Sequence, residues 1–156
     1  MTDIQSHAAI AAYRNYIARY PAAVLWALKT GGSFSLSLLA AWSFPLLILS
    51  KGNILFVEQE PFERAFLERY RGYFERGWSG DVRIDSVEAQ SIGEGLVWLQ
   101  ATGARYDRDG HILERWDSGY MMRNADGGWR TIMLTDAPRP RPDGEDWARW
   151  VRLAIG

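Results

Sequence analysis

The fold is decided by residues 95–134, GLVWLQATGARYDRDGHILERWDSGYMMRNADGGWRTIML. Two Asp-Gly pairs, Asp109-Gly110 and Asp126-Gly127, divide this stretch into three runs that are rich in aliphatic and aromatic residues. Asp-Gly favours tight hairpin turns because glycine adopts positive φ without a steric penalty. The pattern therefore predicts three long strands, residues 95–107, 111–123 and 129–134, joined as an antiparallel meander.

The N-terminal part of the chain has helical periodicity instead. Thr2 and Gln5 have the spacing of a capping box, in which each side chain satisfies a free backbone N–H. Pro21 is expected to end this first helix, and a second short helix over residues 22–29 is expected to end before Gly31. The buried stripe of the first helix is predicted to be Ile10, Tyr13, Ile17 and Tyr20.

Residues 33–57 are predicted to form a helix followed by a hairpin. Ser33 can cap a segment in which Phe34, Leu38 and Trp42 share one face. The continuous apolar runs 44–49 and 54–57 then flank a Lys-Gly-Asn turn. Unbroken apolar runs of this length are typical of strands that are buried on both faces, so we expect a fully buried hairpin.

A further helix is expected to begin at Pro61, with Glu60 as its N-cap, and to end at Gly77. The alternation of Val82 and Ile84 with charged residues then predicts another strand. Helices followed by a run of strands indicate an α+β domain. The buried stripe of this helix is predicted to be Phe62, Phe66, Tyr70 and Tyr73.

Composition excludes several classes of function. The formal net charge is −1, which gives no reason to expect nucleic acid or an anionic membrane as a partner. Cysteine is absent, so disulfides, thiolate metal sites and cysteine nucleophiles are excluded. Because His7 and His111 are far apart in the sequence, we expect no metal site, and no cofactor motif is present.

The longest apolar run, residues 34–49, is not expected to cross a membrane. It contains three serines and Pro45, and it is shorter than the roughly 20 residues that a spanning helix needs. The N-terminus also lacks the basic start and small-residue cleavage site of a signal peptide. We therefore expect the protein to stay in the cytoplasm.

The element order resembles that of the nuclear transport factor 2-like superfamily, and in particular an uncharacterised SnoaL-like branch of it. Three stretches have this resemblance: Trp-Ser-Phe-Pro at 42–45, Arg-Tyr-Asp-Arg-Asp-Gly at 105–110, and Tyr120 followed by Gly-Trp-Arg-Thr-Ile at 128–132. The resemblance covers most of residues 1–137. It implies a cystatin-like α+β fold in which a cone-shaped, bent antiparallel sheet wraps around N-terminal helices. It also implies a ligand cavity in the cone and, commonly, a homodimer.

Residues 138–156 lie outside this resemblance. The Pro-Arg repeat at 138–142 is expected to be a stiff, extended connector. Asp143 can then cap a C-terminal amphipathic helix with Trp147 and Trp150 on one side. We expect these tryptophans to pack either on the domain itself or on a neighbouring subunit.

Side-chain alternation allows the two faces of the meander to be listed. A three-residue loop at 108–110 places Trp98 opposite Tyr120, Gln100 opposite Ser118, and Thr102 opposite Trp116. This face has the composition of a pocket wall for a small apolar molecule, although it could instead be filled core. A bulge near the turn would shift the register and exchange Trp116 for Asp117. The predicted ligand-binding residues are Trp42, Leu96, Trp98, Gln100, Thr102, Trp116, Tyr120 and Met122.

The catalytic candidates are Asp117 and Tyr120. An acid in mid-strand is costly unless it is used or paired, and the alternative for Asp117 is an ion pair with Arg105 or Arg115 on the outer face. Tyr120 could donate its hydroxyl to a ligand carbonyl. Glu114 is expected to be solvated near the strand end. Ketosteroid isomerases have an acidic donor where this chain has Gln-Ala-Thr at 100–102, which argues against that chemistry.

Two classes of function stay open from sequence. The first is a cavity protein that binds a small apolar molecule, with or without isomerase, cyclase, dehydratase or hydrolase activity. The second is a non-enzymatic dimeric interaction module with a filled core. Because a fold does not determine a function, an open cavity with an acid or a tyrosine hydroxyl would favour the first, and exposed aromatic residues would favour the second.

Overall fold

A computed structural model describes residues 3–136, apart from the side chains of residues 37 and 38. These residues form two helices, a short 3₁₀ helix and six strands. The six strands make up one open sheet with the order β2-β1-β6-β5-β4-β3. The elements are α1 (Ile4–Thr30), the 3₁₀ helix (Leu36–Leu39), β1 (Trp42–Ser50), β2 (Asn53–Val57), α2 (Gln59–Glu75), β3 (Trp78–Gly93), β4 (Leu96–Asp107), β5 (Ile112–Ala125) and β6 (Gly128–Thr135).

The sheet confirms the predicted meander, because β3, β4, β5 and β6 pair in sequence order with antiparallel neighbours. Strand β1 pairs in parallel with β6, so the β1–β2 hairpin lies at the opposite end of the sheet from β3. Irregular register occurs in four of the five strand pairs, and such bulges bend a sheet. Both helices pack on the inner face, where the aromatic core lies.

Helix α1 is continuous across Pro21, so the prediction of two helices separated there was wrong. Proline removes one helical hydrogen bond and costs about 3 kcal/mol in a helix interior. Tyr20 and Val24, on either side of it, are 1% and 0% exposed, and their burial offsets this cost. Asp3 rather than Thr2 caps the helix, because its carboxylate accepts from the Ser6 N–H at 2.7 Å.

The first hairpin departs from the prediction of burial on both faces. Strand β2 lies at the end of the sheet order, and Ile54 and Phe56 are 70% and 74% exposed. The helix predicted for residues 33–42 is reduced to the 3₁₀ turn, and Trp42 already belongs to β1. An apolar run shows that a segment is hydrophobic, but it does not show whether another part of the protein covers both faces of the strand.

Helix α2 begins two residues before Pro61, with Glu58 rather than Glu60 at the N-cap position. Pro61 is tolerated in the first turn because the N–H groups there have no helical acceptor. The helix ends at Glu75 with Arg76 as its C-cap, and Gly77 follows with a φ of 97°. The predicted stripe is confirmed: Phe62, Tyr70 and Tyr73 are buried, and Phe66 packs against them.

The β4–β5 register differs by one residue from the register predicted without a bulge. The turn itself is as expected, because the Asp107 N–H donates to the His111 carbonyl at 2.9 Å. Leu113 is then an extra residue on β5, since Tyr106 pairs with Ile112 but Arg105 pairs with Glu114. As a result, Leu99 rather than Trp98 lies opposite Tyr120.

The C-terminal predictions fall outside the described residues. This applies to the Pro-Arg connector at 138–142 and to the amphipathic helix with Trp147 and Trp150. Within residues 3–136, neither helix is both long enough and apolar enough to span a bilayer.

Candidate functional site

A cavity of about 650 Å³ lies between the two helices and the inner face of the sheet. Helix α1 forms one wall and helix α2 another, while β1, β2, β4, β5 and β6 form the floor. The tyrosines of the cavity come mainly from the helices, and the charged groups come from α2, β4, β5 and the residue after β6. The aromatic residues that line it are Tyr13, Tyr16, Tyr20, Trp42, Phe62, Phe66, Tyr70, Trp116 and Tyr120.

Helix α1 presents its tyrosines to the cavity because they are spaced three and four residues apart. Tyr13, Tyr16 and Tyr20 therefore lie on one face of the helix, and all three are buried. Their rings pack on one another and on the sheet, with the Tyr16 and Tyr20 centroids 4.9 Å apart and those of Tyr13 and Tyr120 5.0 Å apart. The α1 wall is therefore a continuous row of phenol rings.

One carboxylate between two arginines lies at the α2 side of the cavity. The Arg105 side chain, which is 12% exposed, donates from Nη1 to Oε1 of Glu114 at 3.1 Å. Arg69 of α2 donates to the same oxygen at 3.0 Å. The Tyr73 hydroxyl donates to the other oxygen of Glu114 in a short hydrogen bond. Glu114 is therefore engaged by protein donors on both oxygens, and the prediction that it is solvated was wrong.

Aromatic rings enclose the Arg105 guanidinium. Its central carbon lies 5.0 Å from the ring centroid of Tyr70, 5.2 Å from that of Tyr73 and 4.9 Å from that of Trp116. Burial by itself would lower the pKa of Arg105, but the surrounding tyrosines, first Tyr70 and then Tyr20, raise it above its ordinary value. Arg105 is therefore a permanent cation in a mostly apolar enclosure.

Hydroxyl groups extend from Arg105 toward α1. Arg105 donates through Nε to the Tyr70 hydroxyl at 3.0 Å, and Tyr70 donates to the Tyr20 hydroxyl at 2.9 Å. Burial raises the pKa of Tyr70 well above its ordinary value, and the neighbouring Tyr20 raises it further, so the phenol stays protonated. At the other end of the cavity the Tyr13 and Tyr120 oxygens are 3.4 Å apart.

Two buried indole N–H groups border the cavity without a hydrogen bond to any residue that the structure describes. They belong to Trp42 and Trp116, and the nitrogen atom of each is inaccessible to solvent. Burial raises the pKa of Tyr13 well above its ordinary value, while the nearby Trp116 acts in the opposite direction. Trp116 is thus close to a hydroxyl but makes no hydrogen bond with it, and such an unused buried donor carries an energetic cost.

Three of the eight sequence-predicted wall residues line the cavity. Trp42, Trp116 and Tyr120 line it, and Met122 lies on the same face of the sheet within the core. The four residues predicted from β4 are on the outer face, which is the side of the sheet turned away from the helices. These four residues are Leu96, Trp98, Gln100 and Thr102, which alternate with the core residues of β4.

Asp117 borders the rim of the cavity, but its carboxylate faces outward. Its Oδ1 accepts from Nε2 of Gln100 at 2.5 Å, beside its cross-strand partner Thr102. The ion pair expected with Arg105 or Arg115 is absent between these described residues, since Arg105 binds Glu114 and Arg115 lies 3.8 Å from Asp85. The bulge therefore moved the β4 residues out of the cavity and left Trp116 in it.

The sequence interpretation missed the Arg105–Glu114 pair and the α1 tyrosines as cavity groups. The signal for the tyrosines was present, because the stripes of α1 and α2 both contain several tyrosines and both must face the sheet. The sequence contains no such signal for Arg105, because its assignment to the inner face depends on one extra residue in β5.

The β4–β5 turn brings three potential metal ligands, Asp107, Asp109 and His111, within 4.8 Å of one another. The Asp107 carboxylate already accepts from the backbone N–H groups of Asp109 and His111, both at 2.9 Å. The bond from His111 is the largest cause that holds the pKa of Asp107 below its ordinary value. This arrangement is accounted for by the turn. His111 is exposed, as expected for a turn residue.

Comparison with known proteins identifies the family and the fold. Residues 11–139 match the model of a family described as NTF2-like protein (DUF6841). No curated protein sequence matches the chain.

Solved structures of low sequence identity share the fold. A ketosteroid isomerase-like protein from Erwinia carotovora atroseptica SCRI1043 is 13% identical, with a TM-score of 0.53 over 86% of this chain and 95% of that chain. A domain of unknown function with a cystatin-like fold from Nostoc punctiforme PCC 73102 is 16% identical, with a TM-score of 0.54 over 99% of this chain and 86% of that chain. At such identities the likeness concerns the fold alone.

Proposed function

The chain belongs to the NTF2-like family DUF6841, and we propose that it binds a small, largely apolar molecule in the cavity between the helices and the sheet. The observation that supports this most is an open cavity of about 650 Å³ with tyrosine hydroxyls and a nearly buried arginine in its walls. Small-molecule sites are typically concave, mostly apolar and furnished with a few polar groups, in volumes of about 300–1,000 Å³. A filled core would not leave this space.

The structure favours binding more than it favours a particular reaction. Isomerase, cyclase, dehydratase and hydrolase chemistry all draw on a general base or acid within reach of the ligand. Glu114 is poorly placed to act as a base because both of its oxygens already accept hydrogen bonds, from Arg69 and Arg105 on one and from Tyr73 on the other. The carboxylate of Asp117 bonds Gln100 on the outer face. The Tyr120 hydroxyl remains the candidate donor to a ligand carbonyl, and we propose no other catalytic role.

Ligand binding should be detectable as thermal stabilisation of the wild-type chain by at least one member of a panel of steroids, terpenes and aromatic polyketides. Occupancy at a hundred times the dissociation constant adds about 2.7 kcal/mol to the free energy of unfolding. In a domain of this size that raises Tm by several degrees. Differential scanning calorimetry with each compound measures the shift.

A cavity-filling substitution supplies the matched control. Ser118 borders the cavity on β5, so Ser118→Phe is expected to occupy the space and abolish the ligand-induced shift. Ser33 is exposed and away from the cavity, and Ser33→Phe should leave the shift unchanged. The binding proposal loses its support if no compound stabilises the wild-type chain, or if Ser118→Phe responds as the wild type does.

A second candidate function, a homodimeric interaction module, is favoured by the exposed apolar residues of β2. Ile54 and Phe56 project from the same face of an end strand, and Leu55 between them is 52% exposed. An exposed apolar end strand invites pairing with another chain. We propose a second copy as the partner, because association of identical surfaces closes after two subunits.

Dimerisation through β2 is expected to be lost in the double variant Ile54→Ser/Phe56→Ser. Each side chain would lose most of the gain from its burial, so the dimer dissociation constant should rise by roughly a hundredfold or more. Ile4, which is 88% exposed at the start of α1, provides the control variant Ile4→Ser. Sedimentation equilibrium decides the matter: a monomeric wild-type chain, or a double variant that dimerises like the control, would contradict the proposal.

A further inference from the structure

The Arg105 guanidinium has hydrogen-bonding capacity that the described residues do not use. An arginine carries five N–H donors and accepts nothing. Three hydrogen bonds are made here, two to the Tyr70 hydroxyl and one to Glu114. Two N–H donors therefore remain on a side chain that is 12% exposed and borders the cavity. A group inside the cavity that accepts hydrogen bonds would satisfy them.

The charges at this end of the cavity are also out of balance. Arg69 and Arg105 share the single carboxylate of Glu114, which leaves one positive charge in excess. At the rim of the cavity Asp117 accepts from Gln100, Asp136 accepts from Ser50 at 2.6 Å, and Arg115 also borders the space, so the excess is local to the cluster of Arg69, Glu114 and Arg105. An anion beside Arg105 would complete two ion pairs around two arginines.

From these observations we propose that the natural ligand is an organic acid, with an aromatic or alicyclic body against the tyrosine wall of α1 and a carboxylate bound by Arg105. This inference rests on the proposed function and adds the chemical class of the ligand. The body follows from the phenol rings of Tyr13, Tyr16 and Tyr20, which offer flat apolar surface. The carboxylate follows from the guanidinium, whose fork binds carboxylates through two parallel hydrogen bonds.

The test compares three probes that share one body: naphthoate, naphthamide and naphthylmethylamine, with the same ring position substituted. Titration calorimetry with the full chain measures their dissociation constants. We expect naphthoate to bind at least about tenfold more tightly than naphthamide, because only the acid pairs with the excess positive charge. The amine should bind more weakly than either compound.

Variants at the two ends of the ion pair separate the carboxylate from the body. Arg105→Met should remove the preference for the acid over the amide and leave amide binding within about twofold. Glu114→Gln removes a competing negative charge while keeping the shape, so it should tighten naphthoate binding by several-fold and leave naphthamide unchanged. The second variant keeps the test valid if Arg105→Met does not fold. Arg83→Met, outside the cavity lining, is the control for loss of an arginine.

The outcomes distinguish this inference from the proposed function. Equal affinity for naphthoate and naphthamide, or an acid preference that survives Arg105→Met, would overturn the organic acid and leave the binding cavity standing. Weaker naphthoate binding by Glu114→Gln would overturn it as well. Binding of none of the three probes at millimolar concentration would overturn the organic acid, and the panel with Ser118→Phe would still decide the binding cavity.

Discussion

Gly103→Ala is expected to lower the free energy of unfolding by about 2–3 kcal/mol. A Cβ at this position would overlap the ring of Trp116 across the strand pair and the backbone carbonyl oxygen of Arg83 on β3. The ring could rotate, but the carbonyl is fixed by the β3–β4 pairing that flanks it. Overpacking of this kind forces backbone shifts and usually costs 1–3 kcal/mol. Displacing Trp116 would also distort the cavity wall.

Gly72→Ala is the matched control, because a Cβ there meets open space on the surface of α2. Alanine is favoured over glycine in a helix interior by about 1 kcal/mol, so this variant should be more stable than the wild type. Urea denaturation followed by circular dichroism measures both changes. If Gly103→Ala were as stable as Gly72→Ala, the close approach of β3, β4 and Trp116 described here would be incorrect.

Trp98→Ala is expected to cost about 3–5 kcal/mol in stability and to leave ligand affinity unchanged. The side chain is 7% exposed on the outer face, where its ring lies over Gly119 so closely that a Cβ there would overlap it. Truncation therefore opens a space on the face of the sheet opposite to the cavity. The predicted wall included Trp98, so this variant separates the two registers directly.

Trp116→Phe provides the contrast for that experiment. It removes an indole N–H that borders the cavity while keeping an aromatic ring next to Arg105. Its stability should change less than that of Trp98→Ala, and its affinity for the best ligand of the panel should fall. Stability comes from urea denaturation, and affinity comes from titration calorimetry. Loss of binding in Trp98→Ala, with binding retained in Trp116→Phe, would contradict the register of the structure. It would support the register predicted without a bulge, in which Trp98 faces the cavity.

The turns and the order of the strands could be predicted because their cause is local. Asp109-Gly110 and Asp126-Gly127 carry the chemistry that hairpin turns require, and the glycines have φ values of 84° and 80°. The face of β4 that turns toward the cavity could not be predicted. One extra residue, Leu113, shifts the β4–β5 register and so turns the other set of β4 side chains inward. Nothing in the local sequence distinguishes Leu113 as the residue that stays out of register.

Tertiary context overrode the local signals in α1 and β2. Pro21 breaks helices in isolation, yet the burial of Tyr20 and Val24 keeps α1 continuous. The residues from Ile54 to Phe56 are as apolar as a buried strand, yet β2 ends the sheet and leaves them exposed. The same limitation explains the site: Arg105 and Glu114 are charged residues on neighbouring strands, and only the three-dimensional register turns both toward the tyrosines of α1.

The most direct test of the binding cavity is a two-dimensional ¹H–¹⁵N NMR spectrum of the tryptophan indole N–H groups, recorded with and without the best ligand of the panel. Signals are assigned through single Trp→Phe variants. Trp42 and Trp116 border the cavity, whereas Trp98 lies on the outer face and Trp26 is 55% exposed on α1. The account predicts that the Trp42 and Trp116 signals shift on binding while those of Trp98 and Trp26 stay in place. Shifts of Trp98 or Trp26, with Trp42 and Trp116 unmoved, would contradict it.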